Sequence, residues 1–215
     1  FVYHGAADAV NLRCWIHGLP ASQPFERVGD GDLWVLRVEL PENSRIEYKF
    51  EVVRDGQEEW ILDPLNPLQA ADPFGANSVA QGMGYVRPEW TVADPAARTG
   101  VVDEIAVPSG ALGDDRHVAV YVPARFRRNR RYPLLVVHDG YDYLRYANLQ
   151  AVLDNLIHRL EIPPLIAVMT QSPDRMREYA ADPRHADFLV KDLVPQMEEL
   201  LPLVRQPAAR ALVGA

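Results

Sequence analysis

Polar segments follow two short apolar runs in the second half of the chain, and these residues are the best placed to do chemistry. His-Asp-Gly-Tyr (138–141) comes directly after the run 134–137, and Arg175 and Glu178 follow the run 165–169. Continuous apolar runs of this length are typical of strands buried on both faces of a parallel sheet. Ligands bind beyond the carboxyl ends of such strands, so the sequence predicts one binding edge that carries both segments.

A third apolar run, 211–215, ends in Val-Gly-Ala and is predicted to be a further buried strand. A strand with this ending begins a nucleophile elbow, G-x-S-x-G, whose glycines permit the strained turn that exposes a serine oxygen. Gly214 would be the first glycine of that motif. Because Val-Gly-Ala alone defines no motif, the prediction depends on position: Val213 should be buried and should lie near the turn at Gly140.

Helices are predicted between and after these strands. Apolar residues recur at helical spacing over 149–160 and 188–204, and Pro195 is expected to kink the second helix or divide it. The runs 101–107 and 118–122 predict an antiparallel pair of strands at the edge of the sheet. Residues 89–215 are therefore predicted to form an α/β domain.

The first half of the chain has the period of strands and no helical period. Apolar and polar side chains alternate over 10–17, 34–40 and 46–52, and turn-rich segments such as 29–32 separate these runs. Short strands at this spacing predict an all-β sandwich over residues 1–88.

The composition excludes several classes of protein. With 48% hydrophobic and 24% charged residues over 215 positions, the chain is expected to form one or two globular domains. The net charge of −8 argues against nucleic acid as a partner, and no apolar stretch is long enough for a membrane span. The single cysteine, Cys14, cannot form an intrachain disulfide, so a cytoplasmic location is the default expectation. Export stays open, because residue 1 is Phe rather than Met.

The first domain resembles the early-set immunoglobulin-like modules found in glycogen-binding proteins and ahead of enterochelin-type esterases. The likeness lies in DLWVLRVELPENSRIEYKFEVVRDG (32–56), WILDPLNP (60–67) and DPFGANSV (72–79). In glycan-binding members exposed tryptophans stack on sugar rings, which makes Trp34 and Trp60 candidates. The alternating pattern around them favours core positions for both instead.

The second domain resembles the esterase family that contains ferric-enterochelin esterases and their carbohydrate-esterase relatives. The likeness lies in YPLLVVHDGYDYL (132–144), LIAVMTQSPDRMREY (165–179), DFLVKDLVPQMEELLPLV (187–204) and RALVGA (210–215). It implies the first half of an α/β-hydrolase that uses a Ser-His-acid triad and an acyl-enzyme. No serine of the chain lies in a G-x-S-x-G frame: Ser22, Ser44, Ser78, Ser109 and Ser172. The catalytic serine, acid and histidine are therefore expected after Ala215, and this chain alone is expected to be inactive.

The same resemblance implies roles for residues of this chain. Gly140 would let the backbone approach closely, the N–H of Tyr141 would be one oxyanion donor, and Asp139 would lie on the rim. Arg175 and Glu178 match the family's R-x-x-E motif. Either Arg175 holds an anionic substrate, or the two side chains pair and brace the rim of the site.

Other polar residues are expected to be structural. His138 is not expected to be the catalytic base, because the base comes late in this fold. His185 lacks metal-ligand spacing and is expected at a solvated helix start. A solvated loop, or less favourably a docking patch for an acidic partner, is expected for Arg125, Arg127, Arg128, Arg130 and Arg131.

The leading hypothesis is a serine esterase, with the esters of a catecholate siderophore as one substrate class. The alternatives are a carbohydrate esterase that removes acyl or feruloyl groups, and a non-catalytic binding protein built on the same folds. No cofactor or metal is implied, and the expected partner is a small-molecule ester. The exact ester and the oligomeric state, including a homo-oligomer, stay open.

Overall fold

The computed structural model describes residues 1–16 and 18–214, and it divides into two compact units, Phe1–Arg87 and Pro88–Ala215. His17 and Ala215, which belong to the predicted strands 10–17 and 211–215, lie outside the described residues.

Unit 1, Phe1–Arg87, consists of two antiparallel sheets. The smaller sheet has the strand order β1-β5-β4 and the larger has the order β3-β2-β6-β9-β8, with β7 also paired to β6. The strands are β1 Val2–His4, β2 Ala9–Cys14, β3 Ser22–Pro24, β4 Glu26–Arg27, β5 Leu33–Val35, β6 Arg45–Arg54, β7 Gln57–Ile61, β8 Gln69–Asp72 and β9 Gly75–Gln81.

The two sheets of unit 1 share one core. Leu12 of β2, Phe50 of β6 and Trp34 of β5 are buried together in it, which confirms the predicted alternation in β2 and β6. The predicted strand 34–40 is shorter in the structure: β5 ends at Val35, and Leu36 still exchanges backbone hydrogen bonds with Phe1 at 2.8 and 3.0 Å.

The tryptophans of the first half differ in burial. Trp34 is buried, as the alternation predicts, and its indole N–H donates to the Gly5 carbonyl oxygen at 3.2 Å. The prediction of a core position for Trp60 is wrong, since its side chain is 43% exposed. Trp60 lies on β7, where its neighbour Arg13 places a guanidinium 4.6 Å from the ring centroid.

Unit 2, Pro88–Ala215, contains a five-stranded mixed sheet in the order β10-β11-β13-β12-β14, in which β12 runs parallel to β13 and to β14. Its strands are β10 Val101–Ser109, β11 Asp114–Val122, β12 Leu134–Val137, β13 Ile166–Thr170 and β14 Arg210–Val213. Its helices are α1 Gly140–Tyr146, α2 Leu149–His158, α3 Arg175–Glu178, α4 Pro183–Asp187 and α5 Val194–Leu200, with a π-helical turn at Phe188–Leu193.

Helices cover both faces of this sheet, so its central strand is buried throughout. Every residue of β13 is buried, as the apolar run 165–169 predicts. One core includes Leu153 of α2, and the other includes Phe188, Leu193 and Met197. The predicted division of the helix at Pro195 is confirmed: the π-helical turn Phe188–Leu193 leads into α5, where Pro195 occupies an early position that needs no N–H donor. The helix ends at Leu200, four residues before the predicted end of the period.

The last strand departs from its predicted burial. Leu212 and Val213 of β14 are 60% and 39% exposed, so the prediction of a buried strand is wrong. Among the residues that the structure describes, β14 pairs with β12 alone, at the edge of the sheet, and its residues belong to neither core. Its parallel pairing with β12 places it beside the strand that precedes the 138–141 turn.

Candidate functional site

The carboxyl ends of β12 and β13 meet at one edge of the sheet, as the two apolar runs predict. Nδ1 of His138, just after β12, lies 3.1 Å from Oγ1 of Thr170, the last residue of β13. The Thr170 hydroxyl also lies within hydrogen-bonding distance, 3.3 Å, of the Val137 carbonyl oxygen. These contacts tie the two strand ends together.

The end of β14 reaches the same place. The His138 N–H donates to the Val213 carbonyl oxygen at 2.8 Å. A Cβ added to Gly214 would lie 3.0 Å from Cβ of His138, so the backbone there passes close to the turn. Of the two conditions set for the elbow, burial of Val213 fails, whereas its position beside the turn holds.

The turn that follows β12 requires a glycine. Asp139 adopts a left-handed conformation with φ 51°, and Gly140 then begins α1. A Cβ on Gly140 would lie 2.3 Å from Cβ and 2.6 Å from Cα of Met169, which no side chain can accommodate without movement of β13. Tyr141 is the second residue of α1, where the backbone N–H has no acceptor within the helix.

A buried carboxylate holds this turn to the segment after β13. Asp139 is 4% exposed, and its Oδ2 accepts a hydrogen bond from Arg175 of α3 at 2.9 Å. The Asp139 N–H points to the Tyr179 hydroxyl at 3.4 Å. The Arg175 side chain keeps 41% of its surface exposed, so this ion pair lies at the rim of the edge.

Glu178 points into the protein rather than towards Arg175. Its carboxylate is 1% exposed and accepts from Arg116 of β11 at 2.7 and 3.2 Å, while Arg116 also pairs with Asp114. Burial acts to raise the pKa of Glu178, but hydrogen bonds from Arg116 and Ser172, together with the charge of Arg116, lower that pKa below its usual value. Within the described residues, the alternative in which Arg175 and Glu178 brace each other is wrong, because the two face different strands.

The structure places a buried histidine, His185, beside His138 at this edge, although the sequence predicted it to be solvated. His185 is 9% exposed, so the expected solvated helix start is wrong. Its ring centroid lies 4.9 Å from that of His138 and 5.2 Å from that of Tyr179, and its Nδ1 lies 3.7 Å from Glu178. The spacing of three between His185 and Phe188 was the available signal, because it places both on one helix face.

The surroundings of His138 and His185 favour the neutral form of each imidazole. Burial lowers the pKa of His185, although Glu178 acts in the opposite direction. Burial lowers the pKa of His138 as well, and the neighbouring His185 adds to that effect. Neutral imidazoles pack against Tyr179 without the cost of a buried charge.

Residues 1–16 and 18–214 contain no group of three or more His, Cys, Asp or Glu side chains that could hold a metal ion. In the same residues no helix is long and apolar enough to cross a bilayer. The edge carries a glycine-containing turn, an ion pair and a pair of neighbouring histidines.

A family model described as "Putative esterase" matches residues 109–215, the segment that contains this whole edge. The chain belongs to this esterase family through that segment. The Iron(III) enterobactin esterase of Escherichia coli (strain K12) is 27% identical over 207 residues, which cover 85% of this chain and 50% of that protein. The chain spans about half the length of the curated enterobactin esterases that it matches.

Solved structures support the fold of this esterase-family chain. The enterobactin esterase from Shigella flexneri, determined in the presence of enterobactin, matches with a TM-score of 0.69 and 21% identity over 100% of this chain and 63% of that one. A ferulic acid esterase from Anaeromyces mucronatus in complex with ferulic acid matches with a TM-score of 0.52 and 18% identity over 60% of this chain and 53% of that one. At these identities the likeness establishes the fold alone.

Proposed function

We propose that this chain is the first part of a serine esterase that hydrolyses carboxylic esters through an acyl-enzyme. The observation that carries the proposal is the 2.8 Å hydrogen bond from the His138 N–H to the Val213 carbonyl oxygen. It puts the end of β14, where a nucleophile elbow would begin, beside the turn that would supply an oxyanion donor. The family match over residues 109–215 supports the same reaction class.

The proposal includes the architecture of both units. Unit 1 would be an early-set immunoglobulin-like sandwich over residues 1–88, and its two sheets around one core support this. Unit 2 would be the first half of an α/β-hydrolase over residues 89–215. The division of the chain at Arg87 and Pro88 supports the two-domain organisation.

In the proposed mechanism, a serine after Ala215 attacks the ester carbonyl and a histidine takes its proton. The carbonyl oxygen gains negative charge, and the Tyr141 N–H, unpaired within α1, would donate to it. Gly140 would allow the backbone to reach that oxygen, because it lies tightly against Met169. One such preorganised donor contributes about 10²–10³ in kcat in a comparable hydrolase.

Asp139 and Arg175 would fix the geometry of this donor. The Asp139 carboxylate is buried beneath the turn, and the Arg175 guanidinium at the rim donates a 2.9 Å hydrogen bond to it. Glu178 would support α3 through its buried pair with Arg116. These residues would then position the site, and Arg175 alone would retain surface to meet a substrate.

The substrate we favour is an ester of a catecholate siderophore, because the curated relatives that match 84–85% of this chain are named enterobactin esterases. A carbohydrate esterase acting on feruloyl groups is the second candidate, since the ferulic acid esterase shares the fold over 60% of this chain. A cytoplasmic location and a small-molecule ester as partner belong to the same proposal.

Fluorophosphonate labelling of the full-length protein tests the reaction class, with the 215-residue chain as the matched control. We expect the full-length protein to be labelled and the chain to remain unlabelled, because it contains no serine in an elbow. Absence of labelling together with absence of ester turnover would favour the non-catalytic binding protein. Turnover of a ferric catecholate ester against a feruloylated sugar then separates the two esterases.

A further inference from the structure

Unit 2 contains a cavity of about 390 Å³ at the sheet edge opposite the candidate site. Its lining includes Arg125, which follows β11, and Pro164, which precedes β13. β11 runs antiparallel to β13, so both residues lie at the amino end of β13, whereas the candidate site lies at its carboxyl end. The volume is within the range of small-molecule sites.

Unpaired cations surround this cavity. Arg98, Arg125 and Arg130 line it together with His158. Within the described part of the chain, none of the three guanidinium groups makes an ion pair or a hydrogen bond, and Arg130 lies 5.5 Å from the ring centroid of Tyr132. This concentration of positive charge runs against the net charge of −8 of the whole chain.

The one carboxylate that lines the cavity is already satisfied by neutral donors. Asp154 is 6% exposed, and its Oδ1 accepts from the Tyr121 hydroxyl and from the Gly100 N–H, both at 2.8 Å. It is therefore positioned by β11 and by the segment before β10, not by the arginines. The N–H donors of Arg98, Arg125 and Arg130 are therefore available to bind another acceptor.

The rest of the lining is apolar. Tyr132, Ile157, Leu160 and Pro164 contribute to it, and the Leu160 side chain is 87% exposed. An exposed leucine beside arginines suits a molecule that has both an oxyanion and an apolar group. Arginine binds carboxylate and phosphate through paired hydrogen bonds, which favours such a ligand over an uncharged one.

We propose that this cavity binds a small molecule in which a phosphate or carboxylate group is attached to an apolar or aromatic group. The oxyanion would lie between Arg98, Arg125 and Arg130, and the apolar group against Ile157 and Leu160. This site is separate from the edge that carries Gly140. The inference does not depend on the proposed esterase activity.

Isothermal titration of the 215-residue chain with phenyl phosphate at low ionic strength tests the proposal. We expect phenyl phosphate to bind more tightly than inorganic phosphate, because only the former reaches the apolar wall. The double variant Arg98→Gln, Arg130→Gln should weaken binding by at least about tenfold, through the loss of charged hydrogen bonds. Benzoate in place of phenyl phosphate distinguishes a carboxylate site from a phosphate site.

The matched control is the double variant Arg127→Gln, Arg128→Gln, which removes the same charge from exposed arginines that do not line the cavity. Its affinity should stay within about twofold of the original. If both double variants weaken the binding of phenyl phosphate equally, the ligand is attracted by the overall positive charge of residues 125–131 rather than bound in the cavity, and the proposal is overturned. Failure of phenyl phosphate to bind at about 1 mM would overturn it as well. Circular dichroism of each variant confirms that the fold is retained.

Discussion

Gly140 is the residue on which the turn after β12 depends most directly. In Gly140→Ala, the new Cβ would meet the Met169 Cα and Cβ at 2.6 and 2.3 Å. Met169 is fully buried on β13 and cannot move outward, so either the turn or the strand must shift. We expect a loss of about 1–3 kcal/mol in the free energy of unfolding, the usual cost of overpacking, measured by urea denaturation.

Gly110→Ala is the control for this substitution. Nothing lies within 4 Å of a Cβ built on Gly110, which is exposed in the turn between β10 and β11. Its effect should stay within about 0.5 kcal/mol. Equal stability of the two variants would mean that β13 tolerates a side chain at position 140, and close packing of the turn would not explain the glycine.

Because His185 is buried, we expect the free energy of unfolding of the chain to depend on pH. Burial lowers the pKa of His185 and of His138 in the folded chain, while both would titrate near about 6.5 when unfolded. Below that pH the unfolded state binds more protons, so stability falls as the pH falls through about 6.5. Glu178, whose pKa is also lowered, loses its contribution only below about pH 4.5.

His185→Phe removes one of the two titrating groups and keeps an aromatic ring next to Phe188. We expect this variant to lose less stability than the original chain between about pH 7.5 and pH 5.5, where one proton accounts for at most about 1.4 kcal/mol per pH unit. Urea denaturation at both pH values measures the difference. His4→Asn, at an exposed position, should keep the original loss. An unchanged pH dependence in His185→Phe would contradict the role of the buried ring.

At the scale of elements, the ion pair between Asp139 and Arg175 joins the start of α1 to α3. If Arg175 positions the turn, Arg175→Gln in the full-length enzyme should lower kcat by about tenfold or more with little change in KM, because a misplaced oxyanion donor weakens only the transition state. Steady-state kinetics on the ester that the protein hydrolyses measures both constants.

Arg177→Gln is the matched control, since Arg177 lies on the same short helix and pairs with Asp174 at the surface. It should leave kcat and KM close to those of the original enzyme. A rise in KM with an unchanged kcat in Arg175→Gln would instead assign Arg175 to binding of an anionic substrate. Full retention of both constants would exclude either role.

Apolar periodicity was enough to predict most elements, because it reports burial directly. The alternation in β6 and the continuous run in β13 predicted both strands, and the turn at 138–141 was placed correctly at a strand end. The pattern could not predict burial that depends on residues distant in the sequence. The last three residues of β14 are as apolar as those of β12, yet β14 is exposed, and among the described residues only β12 adjoins it.

Polar partners were harder to predict than elements. Arg175 and Glu178 stand one helical turn apart, which favours a mutual pair, yet α3 directs them to Asp139 and to Arg116. Arg116 is 62 positions from Glu178 in the sequence, and only the sheet topology brings the two together. The candidate site was thus predictable in its location and in its glycine, but not in the partners of its charged side chains.

At the scale of the whole molecule, each unit has its own hydrophobic core. Leu12 is fully buried in the core of unit 1, and Met197 is fully buried in a core of unit 2. Since each unit has a core of its own, the two cores should respond separately to a cavity. Three of the four tryptophans, Trp15, Trp34 and Trp60, lie in unit 1, so fluorescence reports on unit 1 once Trp90 of unit 2 is replaced by Phe. Every α-helix in the described residues lies in unit 2, so the helical circular dichroism signal reports on that unit.

In the Trp90→Phe background, Leu12→Ala should therefore shift the unfolding midpoint measured by tryptophan fluorescence and leave the midpoint of the helical circular dichroism signal in place. Met197→Ala should do the reverse. Each substitution opens a cavity that costs about 2–5 kcal/mol, which is large enough to resolve in urea. If either substitution moves both midpoints equally, the chain unfolds as one cooperative unit, and the two-domain organisation does not extend to its energetics.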